Sequence, residues 1–279
     1  MHTQIELLKK YGLSVKGHLG QHLLIDPNTQ RKIVDALERT PGQDIIEIGP
    51  GLGALTGEML ARGYRVWAIE KDKRFVEILK TEFGEYKDRF HLIHGDAVSM
   101  DFKSILKKSP VKLISNLPYY ITAPLLFHIL SYRDFITKAV LMMQKEVAAR
   151  LVAVPGTKDY GRLTLGIRYG AAVEHLFDVA PTCFTPQPEV HSSVLEMSFL
   201  PNSKRLPEKD ETFLFYVIEV AFSQRRKTLA GLLTRNSQIK ISREKLLEIF
   251  ESLGFSPMIR GEELLLKDFI NLSARLSKA

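Results

Sequence analysis

Apolar residues in the first 150 positions form short continuous runs, and segments with helical spacing separate these runs. Short runs rich in Ile, Val and Leu predict strands that are buried on both faces. Five such strands are predicted: Asp44–Ile48, Arg65–Ile69, Phe90–His94, Val111–Asn116 and Lys138–Gln144. A helix with Asp26 as its N-cap is predicted before the first strand, and helices are predicted between the strands, one of them with Asp72 as its N-cap. This repeated alternation of strand and helix is typical of a doubly wound, mostly parallel α/β sheet.

The pattern changes near residue 200. Two more strands, Ala171–Ala180 and Ser192–Leu200, are predicted to complete the sheet, and a polar linker, residues 201–210, follows them. Beyond the linker the apolar spacing predicts helices only: Glu211–Phe222, Lys227–Leu233, Arg243–Leu253 and Glu262–Leu272. We therefore expect an α/β domain over residues 1–200 and a small all-α domain over residues 201–279. The segment up to Lys16 is basic and weakly periodic, and we expect it to be a mobile lead-in.

Composition and charge narrow the class of protein. The 279 residues are enough for a large domain and a small one, each with its own core. A formal charge of +7 favours a polyanionic partner, although a solvated basic surface would give the same value. The single cysteine, Cys183, excludes an internal disulfide framework and a Cys-rich zinc site, and no metal is expected. The chain has no membrane-length apolar run and no signal-peptide core, so we expect a cytoplasmic protein.

The turn after the first strand is rich in glycine and predicts a cofactor site. Gly49 and Gly51 lie between a strand and a helix, where backbone can approach a ligand closely. With Glu70 at the end of the next strand, this pattern fits a nicotinamide dinucleotide as well as S-adenosylmethionine. Glu47 before the turn and Asp96 after the third strand favour S-adenosylmethionine, because its sulfonium is positive whereas acids would repel a pyrophosphate. Glu70 would then accept hydrogen bonds from the ribose hydroxyls, and Asp96 from the adenine amine.

A second candidate site follows the fourth strand. Pro118 cannot continue a sheet, so the chain leaves the sheet where Asn116 and Tyr119 stand. The side-chain carbonyl of Asn116 and the backbone carbonyl of Leu117 are two acceptors suited to the exocyclic amine of a flat, nitrogen-rich ring. Tyr119 can stack on the face of such a ring.

Five motifs stand out along the chain: Gly20–Leu24, Glu47–Gly53, Asn116–Tyr119, Phe184–Ser192 and Ala221–Leu229. Together and in this order they resemble one known family, the KsgA-type dimethyladenosine transferases of small-subunit ribosomal RNA. The resemblance implies a Rossmann-like class I S-adenosylmethionine-dependent methyltransferase domain followed by a small helical domain. It also implies transfer of two methyl groups to the N6 amine of each of two adjacent adenosines, in the 3′-terminal hairpin loop of that RNA, during ribosome biogenesis.

The resemblance assigns roles to individual residues. Cofactor contacts are implied for six of them: His22, Leu24, Gly49, Glu70, Asp96 and Asn116. The family usually has Asn where His22 stands, which leaves a contact through the His22 backbone. Catalytic positioning is assigned to Asn116–Tyr119, and Phe184 is expected to hold the target base with Tyr119, with core packing as the alternative for Phe184. The erythromycin-resistance methyltransferases, which act on large-subunit RNA, share the element at Asn116–Tyr119 but fit Phe184–Ser192 and Phe222–Leu229 less well.

The basic residues of the C-terminal region predict contacts with RNA. Arg225, Arg226 and Lys227 are predicted to open a helix, where cations oppose the helix dipole. That cost favours phosphate binding over a merely solvated surface. The expected partner is small-subunit ribosomal RNA, within a partly assembled subunit. A nicotinamide-dependent oxidoreductase and a non-enzymatic RNA-binding assembly factor remain the alternatives.

Overall fold

The computed structural model describes residues 2–14, 22–38, 42–105, 110–118, 121–200 and 205–279. The chain forms two units: residues 1–148 with 171–200, and residues 149–170 with 201–279. Parts of two predicted features, the lead-in to Lys16 and the linker 201–210, lie outside the described residues, as do Gly20, Gln21 and Tyr119.

The first unit is built on a seven-stranded sheet. Its strands are β2 (Asp44–Ile48), β3 (Arg65–Glu70), β4 (Phe90–His94), β5 (Val111–Asn116), β6 (Ile136–Gln144), β7 (Ala171–Val179) and β9 (Ser192–Phe199). Their order in the sheet is β4-β3-β2-β5-β6-β9-β7. The first five pair in parallel, whereas β9 runs antiparallel to both β6 and β7. Two short segments, β1 (Leu23–Leu24) and β8 (Phe184–Thr185), form a separate antiparallel ladder. The predicted α/β sheet is confirmed.

The helices of this unit follow the strands in alternation. They are α1 (Gln4–Lys10), α2 (Pro27–Asp35), α3 (Ala54–Ala61), α4 (Lys73–Glu82), α5 (Phe102–Ile105), α6 (Thr122–Ser131) and α7 (Lys145–Val152), the last of which runs past residue 148. Both predicted N-caps are confirmed, since Asp26 accepts a hydrogen bond from the backbone N–H of Thr29 and Asp72 accepts one from Arg74. The central strands are buried almost continuously, which is why their apolar runs do not alternate with polar residues.

The N-terminal segment is a helix over part of its length. Thr3 caps α1, and its reciprocal bonds with Glu6 form a capping box. Leu7 is buried, and Lys10 and Tyr11 both donate to Glu82 Oε1, at 2.7 and 2.6 Å. The expected mobile lead-in is therefore wrong for this stretch. A seven-residue helix shows little periodicity, and long-range packing stabilises it rather than its own sequence.

The second unit is helical. Its helices are α8 (Arg162–Arg168), α9 (Glu208–Ala221), α10 (Leu229–Leu233), α11 (Arg243–Ser252) and α12 (Leu266–Leu276). The sequence predicts a single boundary near residue 200, whereas the structure places residues 149–170 in this unit as well. The physical reason is packing: Tyr160 and Leu165 belong to the same buried cluster as Phe250, and Tyr160 Oη donates to the Leu264 carbonyl at 2.7 Å.

Candidate active site

A cavity of about 650 Å³ lies at the carboxyl ends of β2, β3 and β5. Ligands of parallel α/β sheets bind at this edge, and a cavity of this size accommodates a nucleoside-sized molecule. It brings together nine of the predicted site residues: His22, Leu24, Gly49, Gly51, Glu70, Asp96, Asn116, Leu117 and Pro118. The two predicted sites are therefore neighbouring parts of one cavity.

The glycine turn lets the backbone form one wall of this cavity. Gly49, Gly51 and Gly53 all have positive φ, at 66°, 59° and 83°, a region in which L side chains are strained. The N–H of Gly49 donates to the Ile69 carbonyl at 2.9 Å, which ties the turn to β3. A Cβ on Gly53 would stand only 2.4 Å from the ring of Phe83. The residue type at Gly53 is therefore fixed by space as well as by backbone conformation.

We expect Gly53→Ala to lower the free energy of unfolding by about 2–4 kcal/mol, because backbone strain and the clash with Phe83 add. Urea denaturation followed by circular dichroism measures this loss. Gly63→Ala is the matched control, since Gly63 has a φ of 85° and the nearest atom to its added Cβ is 3.9 Å away. The control should lose only about 1 kcal/mol from strain alone. Equal losses in the two variants would contradict the steric part of the argument.

Glu70 connects the glycine turn to the start of α4. Its Oε2 accepts the Gly51 N–H at 3.1 Å and its Oε1 accepts the Asp72 N–H at 2.7 Å. Burial raises the pKa of this carboxyl, and backbone hydrogen bonds from Asp72, Gly51 and Lys71 act in the opposite direction. A carboxylate has about four lone-pair sites, so these bonds leave at least one of them free. The side chain can therefore hold the turn and still accept from a ligand hydroxyl.

Asp96 has two structural partners at the edge of the cavity. Its Oδ2 accepts from Lys71 Nζ at 2.8 Å, and its Oδ1 accepts from the backbone N–H of Val98 at 3.0 Å. The Lys71 ammonium, together with the Val98 N–H, lowers the pKa of Asp96. Asp96 thus caps a turn and also lines the cavity, and its bond to an adenine amine stays a prediction.

Glu47 is a second buried carboxyl of the cavity, and it is less exposed than Glu70. It is 1% exposed on β2, and Thr56 Oγ1 donates to its Oε2 at 2.6 Å. Burial raises the pKa of Glu47 to about 8, and the nearby negative charge of Glu70 acts in the same direction. A positive ligand in the cavity would offset this cost, because it stabilises the ionised form of both acids.

This raised pKa makes stability depend on pH. The unfolded chain ionises Glu47 near its ordinary value of 4.5 and the folded chain near 8, so the folded state binds more protons between these limits. The free energy of unfolding should therefore fall as pH rises from about 4.5 to 8, and Glu47→Gln should remove this component. Urea denaturation from pH 5 to 9 measures both proteins. A stability gain in Glu47→Gln that does not grow with pH would show that Glu47 is not the titrating group.

Asn116 has a defined orientation. Its Nδ2 donates to the His22 carbonyl at 3.1 Å, and its Oδ1 accepts no hydrogen bond from the described residues. Leu117 donates its N–H to the Met142 carbonyl at 2.9 Å, while Pro118 O accepts from the Ile121 N–H at 3.2 Å as α6 begins. Two acceptor oxygens, Asn116 Oδ1 and the Leu117 carbonyl, are thus without partners within the described ranges.

His22 is held in place by the proline-rich segment. Its Nδ1 lies 2.7 Å from the carbonyl oxygen of Pro186. Because a carbonyl oxygen can only accept, Nδ1 carries a proton and donates it in this bond. The His22 backbone supports Asn116, and the ladder between β1 and β8 places this segment against Phe184. The site thus uses the His22 backbone for positioning, while the imidazole bonds to the Pro186 carbonyl.

The two aromatic residues predicted to hold the target base differ in outcome. Tyr119 lies outside the described residues. Phe184 is 3% exposed and packs in the core with Leu24 and Val194, and it does not line the cavity. The structure therefore shows the packing alternative for Phe184, and its contact with a base stays a prediction that requires the ring to be uncovered.

The three cations predicted to bind RNA, Arg225, Arg226 and Lys227, do not have equivalent surroundings. Arg225 Nε donates to Glu262 Oε2 at 2.7 Å, and its other two nitrogens donate to the carbonyls of Lys158 and Thr157. The side chains of Arg226 and Lys227 are exposed and bond to no other described residue, and only the Lys227 backbone N–H donates, to the Gln224 carbonyl at 3.1 Å. The helix α10 begins at Leu229 with Thr228 as N-cap, so the prediction that these cations open the helix is wrong. They precede the cap, because Thr228 supplies the side-chain acceptor.

Gln4 and Phe75 are among the cavity residues that were not predicted from the sequence. Gln4 lines the cavity from α1, and Phe75 lines it from α4. The capping box at Thr3 is a sequence signal that could have placed α1, although not its position over the cavity. Among the residues that the structure describes, no helix is long and apolar enough to cross a membrane. Within the same ranges, no three His, Cys, Asp or Glu side chains are arranged to hold a metal ion.

Comparison with known proteins identifies relatives over almost the whole chain. The sequence profile of a family described as "Ribosomal RNA adenine dimethylase" matches residues 12–248. "Ribosomal RNA small subunit methyltransferase A" of Halothermothrix orenii is 40% identical over 277 residues, which cover 97% of this chain and 91% of the relative. The protein of the same description from Geobacillus kaustophilus is 40% identical over 278 residues, 98% of this chain and 94% of the relative.

Solved structures agree with these relatives. A dimethyladenosine transferase from Plasmodium falciparum superposes with a TM-score of 0.80 at 28% identity, covering 92% of this chain and 98% of that one. The 23S rRNA methyltransferase ErmE superposes with a TM-score of 0.69 at 22% identity, covering 91% of this chain and 99% of that one. The second likeness concerns the fold alone.

Proposed function

The chain belongs to the ribosomal RNA adenine dimethylase family, and from this we propose how its cavity carries out the reaction. It is a small-subunit ribosomal RNA adenine N6,N6-dimethyltransferase that uses S-adenosylmethionine as methyl donor. The membership sets aside the nicotinamide oxidoreductase. One observation carries the assignment of roles: Asn116 Oδ1 is unpartnered within the described residues and lies in the cavity that contains Glu70 and the glycine turn.

The cofactor end of the cavity fits S-adenosylmethionine, which supplies an electrophilic methyl group on a positive sulfur. Glu70 accepts from the ribose hydroxyls through the lone pairs that Gly51 and Asp72 leave free. Asp96 accepts from the adenine amine, and the backbone at Gly49 comes close because no Cβ intervenes. Further contacts come from three residues of the same cavity: His22, Leu24 and Gly51.

The target end of the cavity is formed by Asn116, Leu117 and Pro118. The carbonyl oxygens of Asn116 and Leu117 accept the two hydrogens of the adenine N6 amine, which directs the nitrogen lone pair toward the methyl group. The same oxygens stabilise the positive charge that develops on N6 during the transfer. The methylated N6 then loses its proton to water, so this chain needs no general base. Catalysis is mainly positioning.

Dimethylation requires that the same acceptors admit a monomethylated amine. After the first transfer N6 carries one hydrogen, so only one of the two carbonyl oxygens is needed as an acceptor. A single bond, from Asn116 Nδ2 to His22, fixes the amide among the described residues. A pocket with two alternative acceptors can therefore orient both the unmethylated and the monomethylated base.

The proposed target is two adjacent adenosines in the 3′-terminal hairpin loop of the small-subunit RNA. The proposed substrate is a partly assembled subunit in the cytoplasm. The bases must leave their stack to reach a cavity at the sheet edge, and single-stranded loop bases do so at low cost. Tyr119 and Phe184 are the aromatic residues proposed to hold the flipped base.

The helical region 201–279 is proposed to bind RNA phosphates through Arg226 and Lys227. We expect each of Arg226→Ala and Lys227→Ala to lower the slope of log affinity against log salt by about 1, with little effect on cofactor affinity. Filter binding of the RNA at several salt concentrations measures the slope. Arg225→Ala tests whether Arg225 differs from the other two cations. This variant should lower the stability of the helical unit, because it removes the bond between Arg225 and Glu262. An unchanged salt slope in both single variants would contradict the phosphate contacts.

The decisive experiment is methyl transfer from labelled S-adenosylmethionine to small ribosomal subunits from cells that lack this enzyme, with nucleoside analysis of the product. Dimethyladenosine at two adjacent positions of the small-subunit RNA supports the proposal. Label in large-subunit RNA alone would contradict the proposed target site. Cofactor binding without any label would favour an assembly factor.

A further inference from the structure

Helix α1 contributes a polar residue to the cofactor cavity. Gln4 lines the cavity together with Gly51 and Glu70, and it is 7% exposed. The next turn of the helix anchors it, since Leu7 belongs to a buried cluster with Leu52. The first turn of α1 is therefore a wall of the cavity, formed by residues distant in sequence from the glycine turn.

The amide of Gln4 is only half satisfied. Its Nε2 donates to the Leu52 carbonyl at 3.3 Å, whereas its Oε1 is buried and accepts no hydrogen bond from any residue in the described ranges. An unpaired buried carbonyl destabilises the folded state, so such groups are rare in native proteins unless a ligand or water pairs with them. Since Leu52 fixes the nitrogen, the oxygen is the group that needs a donor.

The position of Gln4 indicates which donor this is. The carbonyl that it holds belongs to Leu52, and the preceding residue, Gly51, donates its N–H to Glu70. Gln4 and Glu70 thus bind consecutive residues of one turn. Under the proposed function Glu70 accepts from the ribose hydroxyls, whereas the adenine amine lies toward Asp96.

We propose that Gln4 is a cofactor-binding residue, whose side-chain carbonyl accepts a hydrogen bond from a ribose hydroxyl beside Glu70. This inference rests on the proposed function, because it needs an adenosyl cofactor in the cavity. It assigns a binding role to the N-terminal helix.

Isothermal titration of the full chain with S-adenosylhomocysteine, and with its 2′-deoxy and 3′-deoxy analogues, tests the proposal. Gln4→Met keeps the length of the side chain and removes its acceptor. We expect it to bind S-adenosylhomocysteine about 5- to 10-fold more weakly than the wild type. One of the deoxy analogues should be affected much less by the substitution, because it lacks the hydroxyl that Gln4 binds.

Tyr11→Phe is the matched control, because it removes a bond of the same segment to Glu82 at a point away from the cavity. It should leave the affinity unchanged. If Tyr11→Phe loses as much affinity as Gln4→Met, the effect comes from the docking of α1, and the proposal is overturned. Equal binding by Gln4→Met and the wild type would overturn it too, as would equal losses with all three ligands. A wild type that binds no S-adenosylhomocysteine would instead refute the proposed function.

Discussion

Replacing Asn116 with Ala is expected to lower the turnover number about 100- to 1,000-fold, because one of the two acceptors for the target amine is lost. The acceptor acts on charge that develops only in the transition state, so it affects turnover more than binding. Affinity for S-adenosylmethionine should fall by no more than about tenfold, since Glu70 and the glycine turn remain. Single-turnover methylation of small subunits gives the rate, and calorimetry gives the affinity.

The substitution also removes the hydrogen bond that Asn116 Nδ2 donates to the His22 carbonyl, so a structural effect must be separated from a catalytic one. Ser115→Ala is a useful control, because it removes a neighbouring buried bond to the Ile48 carbonyl while leaving Asn116 intact. This variant should lose stability but retain most of its turnover. Turnover close to that of the wild type in Asn116→Ala would refute the proposed mechanism.

Replacing Glu70 with Gln is expected to weaken S-adenosylmethionine binding about 30- to 150-fold, which corresponds to about 2–3 kcal/mol. Both carboxylate oxygens accept backbone N–H groups, from Gly51 and Asp72. A glutamine presents an NH₂ group to one of these donors, so the turn loses a bond and the ribose loses an acceptor. Calorimetric titration with S-adenosylmethionine and with S-adenosylhomocysteine measures the loss.

Both ligands carry the same ribose, so the loss should be similar for the two if Glu70 acts through hydrogen bonds. A loss confined to S-adenosylmethionine would indicate that Glu70 acts mainly through its charge on the sulfonium. Glu58→Gln is the surface control, because Glu58 pairs with Arg62 four residues later and does not line the cavity. It should bind both ligands as the wild type does.

The predicted and observed strands agree most closely where both faces of the sheet are covered. Ile45, Ile46 and Ile48 are all buried in β2. A strand that is covered on both faces needs apolar residues at nearly every position, whereas a helix of the same length needs them on one face only. Glu70, Asp96 and Asn116 were predictable as site residues for a related reason. Glu70 and Asn116 end parallel strands and Asp96 stands two residues after one, and such strand ends meet at one edge of the sheet.

The elements that the sequence did not predict correctly depend on contacts between distant residues. Helix α1 is too short to be stable alone, and it forms because Leu7 and Tyr11 have partners on other elements. Residues 149–170 belong to the helical unit because Tyr160 packs in its core. No local sequence pattern indicates this packing. The sequence does not distinguish Arg225 from Arg226, because the acceptors that bind the three guanidinium nitrogens of Arg225 are distant along the chain.

The sequence by itself therefore determined the α/β sheet, the edge at which the site lies, the cofactor class and the family. These features follow from periodicity and from motifs that act over a few residues. Only the tertiary structure decided that the amide nitrogen of Asn116 is bonded while its Oδ1 is available, that Phe184 is buried, and that Gln4 belongs to the cavity. Hydrogen-bond partners and burial are properties of residues brought together by folding, and no spacing along the chain encodes them directly.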